Sequence, residues 1–132
     1  VIARFVANRL QYALQTFLLG RGLAEGGYVV LTGAALWLHG IREDFRDVVL
    51  LVPGLDAEKE VGDFGGFVFE ATPTLEHLAP GLTEEVLRDV EVRSGIRVAS
   101  LSSTLRMLSL TGRLEDAANA HTLRDFLGTR RR

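Results

Sequence analysis

Cysteine is absent from the 132 residues of this chain. That excludes disulfide staples, thiolate nucleophiles and zinc–thiolate sites outright. Long apolar runs are missing as well. None approaches the ~20 residues that a bilayer-spanning helix needs, so no membrane partner is expected. The first residues lack the basic, apolar, small-residue order of a signal peptide, and the absence of cysteine fits a cytoplasmic setting, which is the expectation. Charge of one sign is lacking too: 15 Lys and Arg stand against 17 Asp and Glu, for a net −2. Without a global basic field, nucleic acid is not expected as a main partner. Lysine is nearly absent. Of the 15 basic residues, Lys59 is the one lysine and the rest are arginines, a bias that reads as composition rather than arginine-specific recognition. His77 and His121 are isolated and show no metal-ligand spacing. No internal repeat or low-complexity linker interrupts the chain.

What is present is an ordinary globular composition, 47% apolar and 24% charged. The length predicts one domain over 1–132, long enough to bury a core without staples. Ile2, Val6, Leu10, Ala13, Leu14, Phe17 and Leu18 recur at helical steps, with Val1, Phe5 and Leu19 widening the stripe. An N-terminal helix over 1–22 follows, closed by Gly20 and Gly22. Its apolar face reads first as core and second as the seam of a homodimer or a site for a protein partner. Residues 23–99 read as a sheet core. Tyr28-Val29-Val30-Leu31 is a buried strand, Gly33 to His39 a short helix, and Asp47 to Val52 a strand stopped by Pro53-Gly54. Residues 54–65, rich in charge and glycine, read as a surface loop, and Gly66 to Glu70 as a third strand. Pro73 and Pro80 bracket a short helical piece, followed by another over Thr83 to Asp89. Val90 to Val98 alternates around Ser94-Gly95, which suggests a hairpin. Residues 100–128 carry one or two packed helices, and Arg130-Arg131-Arg132 read as a frayed tail. The fold class is therefore α+β, a mixed sheet with flanking helices.

Two places carry possible chemistry. Thr32-Gly33 stands between a strand and a helix, where glycine lets backbone approach a ligand and the first helical amides are unpaired donors. This is a phosphate seat, or simply a tight turn. Asp47 opens the next strand. Phosphoryl or nucleotidyl transfer needs two carboxylates on one strand face, at i and i+2, to hold a pair of Mg²⁺ ions. Position i+2 is Val49, which cannot ligate a metal. Glu70 offers another carboxylate from the third strand. Arg113 and Asp116, three apart, suit a helical ion pair. Trp37 reads as core. His39 reads as a helix-end cap or as a group approaching a nucleotide.

Thr32-Gly33-Ala34-Ala35, His39-Gly40 and Asp47, in that order and spacing, resemble the nucleotidyltransferase superfamily of polymerase-beta-like fold. The nearest branch is the minimal nucleotidyltransferases, which include bacterial toxin and abortive-infection proteins. Their signature runs hydrophobic-Gly-Gly-x-Ala, a short helix ending in His-Gly, then Arg-x-Thr-x-Asp-x-Asp. Downstream, Ile96 to Ala99, the helix after Ser100, and Arg113 to Asn119 follow the order of that branch, so the likeness spans roughly residues 23–127. The resemblance implies a nucleotide held near Thr32, Gly33, His39 and Arg113. It implies Mg²⁺ on Asp47 and Glu70, which would also be the catalytic carboxylates of an active enzyme.

The departures are specific. Thr32 replaces the first glycine, Glu43 and Phe45 stand where Arg and Thr belong, Val49 replaces the second metal Asp, and Asn119 the last downstream Asp. Losing a ligand from the clamp removes charge stabilisation, usually the largest catalytic contribution. The expectation is a catalytically degenerate member acting as a binding or regulatory module. The alternatives are an active enzyme with a rearranged metal site of Asp47 and Glu70 with Glu43 or Asp44, modifying a protein, RNA or small-molecule hydroxyl, and a purely structural dimer seamed by the first helix.

Overall fold

The computed structural model describes residues 4–130, with side chains through 128. Val1, Ile2, Arg131 and Arg132, which figured in the expected first stripe and tail, lie outside the described residues. The elements run α1 (Arg4–Leu19), β1 (Val29–Leu31), α2 (Thr32–Leu38), β2 (Asp47–Leu51), β3 (Glu60–Phe64), β4 (Phe67–Thr72), α3 (Leu82–Leu87), β5 (Val90–Arg93), β6 (Ile96–Ala99), α4 (Leu101–Leu110) and α5 (Leu114–Arg130). A six-stranded mixed sheet has the order β3-β4-β2-β1-β6-β5. β1 runs antiparallel to β2 and parallel to β6, and β2 runs parallel to β4. The three expected strands are thus consecutive neighbours, and the α+β class with flanking helices holds.

Alternation along the strands sorts the two faces. Val48 and Leu50 of β2, Phe67, Phe69 and Ala71 of β4, and Val30 of β1 share one core with α1 and α2. Leu51, Val29 and Leu31 point to the other face, against Leu82, Val86 and Met107 of α3 and α4. On α1, Ala7, Leu10, Ala13, Leu14, Phe17 and Leu18 are buried. Phe5 does not widen this stripe: it is 71% exposed, and Leu19 is 63% exposed. The apolar face of α1 is therefore core. Any seam would rest on the exposed Phe5, Tyr12 and Leu19. Trp37 is core, as expected, its ring centroid 4.8 Å from that of Phe45.

Several local expectations are corrected. Residues 60–64 are a strand, not loop: β3 pairs with β4 from Glu60↔Ala71 to Phe64↔Phe67, closed by Gly65-Gly66 with φ of 60° and 85°. Both residues of a two-residue hairpin turn of this hand need positive φ, which two glycines provide without cost from a Cβ. Ser94 and Gly95, at φ 53° and 76°, build the same turn between β5 and β6, as expected. Between Pro73 and Pro80 there are hydrogen-bonded turns rather than a helix. There Thr83 Oγ1 accepts from the Leu75 amide at 2.7 Å and Glu76 Oε1 from the Gly81 amide at 2.8 Å. Arg130 belongs to α5 rather than to a tail. Among the described residues no helix is long and apolar enough to cross a membrane.

Candidate functional site

β1 and β2 end their pairing at Leu31↔Val49, which sets the Thr32-Gly33 turn beside the start of β2. β2 and β4 are in register with Val49 opposite Glu70. Because strand side chains alternate, Asp47 and Val49 share a face, and Glu70 joins them from the neighbouring strand. The first turn of α5 closes the other side. A cleft of about 380 Å³ results, lined by Gly33, Arg42, Arg46, Asp47 and Asn119 together with Glu70. A second hollow of about 560 Å³ continues it toward Lys59, Thr72, Thr74, His77 and Met107. The two share Thr32, Val49, Glu70, Arg113 and Asp116. The combined space is in the range of small-molecule sites.

Of the residues singled out in the sequence, Thr32, Gly33, Asp47, Glu70 and Arg113 line this one cleft. His39 does not. It caps the end of α2, is 8% exposed, and its Nε2 lies 2.8 Å from the Ala99 carbonyl oxygen, tying α2 to β6.

The turn itself departs from the glycine-based seat. The residue with positive φ is Thr32, at 50°, and not Gly33. A β-branched residue in the left-handed region is strained. α2 is 7 residues long, so anion attraction falls on side-chain cations rather than on an extended helix dipole. Arg42 provides one such cation: its Nη1 lies 3.5 Å from where a Cβ on Gly33 would stand. It is steered there by Asp44 at 3.2 Å and Glu115 at 4.0 Å. Arg113 donates from Nε to Asp116 Oδ2 at 3.0 Å, and Thr111 Oγ1 donates to the same oxygen at 2.6 Å. Asp116 is 3% exposed and clips the α4–α5 turn. The ion pair inferred from spacing is present, and it holds Arg113 at the cleft wall.

The donor set does not fit a two-ion clamp. Val49 fills the place between Asp47 and the strand interior, and Glu70 Oε1 is held by Lys59 Nζ at 2.7 Å. Among the described residues no group of three or more His, Asp or Glu side chains is placed to hold a metal ion. Sequence reasoning passed over Lys59, because residues 54–65 looked like a solvated loop. Its being the one lysine of the chain was the available signal. Arg42, two residues after His39-Gly40, was legible only as a charge.

No family model matches this chain, and neither a curated protein nor a solved structure matches it.

Proposed function

We propose that this chain is a nucleotidyltransferase-like protein without metal-dependent transfer activity, whose cleft binds a phosphate-bearing ligand as a binding or regulatory module. One observation carries the reading. The place of the second metal carboxylate is Val49, and the carboxylate across from it, Glu70, is paired with Lys59 at 2.7 Å. Arg42, Arg46 and Arg113 surround the same space. Guanidinium groups bind phosphate without an intervening cation. The carboxylates Asp47 and Glu115 oppose the ligand and keep its affinity low.

Labelled nucleoside triphosphates with Mg²⁺ or Mn²⁺ test the reading. The expected outcome is no labelled acceptor. Calorimetry with ATP and GTP should give weak binding with little gain from Mg²⁺. Robust labelling that Asp47→Ala abolishes would overturn it. Such a result would establish the second reading, a metal-dependent nucleotidyltransferase acting on a protein, RNA or small-molecule hydroxyl. That second reading draws support from Asp47 and Glu70 lining one cleft.

A further inference from the structure

We propose that Lys59 is the built-in cation of the cleft: its ammonium holds Glu70 where a divalent ion would sit and donates to the phosphate of the bound ligand. The inference rests on the metal-free reading above and names the residue that replaces the metal.

The placement follows from the β3–β4 hairpin. Glu60 pairs with Ala71, so the preceding residue, Lys59, stands across from Thr72. By strand alternation Thr72 and Glu70 share the cleft face, and Lys59 reaches diagonally to Glu70. Val61 and Asp63 follow it on that face, while Gly62 turns to α1. Lys59, leading directly into β3, therefore lines the hollow that continues the cleft past Glu70.

The ammonium has three donors, and the recorded contact to Glu70 Oε1 uses one. Lys59 lines the hollow beside Glu70, and its side chain is 58% exposed, so the ammonium keeps open sides for further donation. A pair this exposed adds little to folding stability, which allows substitution without unfolding. Its effect on a ligand is larger. Asp47, Glu70, Glu115 and Asp116 all line the cleft. Without Lys59, Glu70 becomes an unpaired anion facing the phosphate. The same loss leaves the Glu70 carboxylate open to a divalent ion that arrives with the phosphate.

The test uses inorganic triphosphate as probe, titrated calorimetrically into the native chain and Lys59→Gln, in EDTA and in Mg²⁺. Native protein should bind in EDTA with no gain from Mg²⁺. Lys59→Gln should bind about tenfold more weakly in EDTA, ~1.4 kcal/mol. Mg²⁺ should restore part of that loss, a response that a merely structural lysine would not produce. Lys59→Arg should stay close to native. Equal binding by native and Lys59→Gln in EDTA overturns the role of Lys59 and leaves the metal-free cleft standing. No binding by native protein in EDTA, or binding only with Mg²⁺, overturns both.

Discussion

Replacing Thr32 with glycine should stabilise the protein, although it removes a side chain. Thr32 sits at φ 50°, at the junction where β1 passes directly into α2. An L-residue in this region brings its Cβ against the following carbonyl, at roughly 1–2 kcal/mol. Glycine escapes that clash. It also gains freedom in the unfolded chain, which costs about 0.4–1 kcal/mol. Among the described residues the Thr32 hydroxyl makes no hydrogen bond, so little else is lost with it. The net expectation is a gain of about 1 kcal/mol, or about 3 °C in melting temperature for a domain of this length. Urea unfolding measures it, and an unchanged m-value would show that the folded and unfolded states are otherwise alike. Thr32→Ala is the control. It keeps a Cβ at positive φ, so it should gain nothing. If Thr32→Gly is neutral or destabilising, or if Thr32→Ala gains as much, backbone strain at this turn is not what the substitution relieves. The glycine variant also recreates the Gly-Gly of the resembled motif. A strained residue lining the cleft accords with the tendency of strain to collect at functional sites.

Gly62→Ala should destabilise by about 1–3 kcal/mol in chemical denaturation. The new methyl would stand 2.8 Å from Phe17 Cε1, a buried ring that cannot withdraw as a flexible chain would. Asp116→Ala should cost about 2–3 kcal/mol, because it removes the acceptor shared by Thr111 and Arg113. A change within 0.5 kcal/mol would mean the α4–α5 clip does not matter to folding. The Gly81 and Thr83 amides, and then the Thr83 hydroxyl, hold the Glu76 carboxyl below its ordinary value of 4.5. A depressed folded-state value stabilises above that ordinary value and loses its contribution as pH falls through the folded one. Stability measured from pH 7 to pH 3 should therefore fall less steeply in Glu76→Gln than in the native chain, and identical slopes would refute a contribution from the amide hydrogen bonds to Glu76.

Local chemistry was legible along the chain; partners across it were not. The 3.6-residue period of Leu10, Leu14, Phe17 and Leu18 specifies α1 and the face it buries, because a helix repeats its contacts at that step. The β-branched run at Val29-Val30 and the Ser94-Gly95 turn specify a strand and a hairpin from neighbouring residues alone. Thr32, Gly33 and Asp47 are close in sequence, so their meeting along one cleft could be expected from neighbouring residues. β3 could not. As an edge strand it is only half covered, and its charged, glycine-containing sequence lacks the apolar alternation of a central strand, leaving Gly65-Gly66 as its one local signal. Alternation assigns a residue to a face but says nothing about which strand lies beside it. The parallel pairing of β2 with β4 decided that Glu70 faces Val49, and the antiparallel return of β3 decided that Lys59 meets Glu70. The parallel pairing of β1 with β6 set the chain that leads into α4 and α5, and so brought Arg113 and Asp116 over the cleft. These are contacts of long sequence separation, set by the packing of both sheet faces at once, and no window of local sequence contains them.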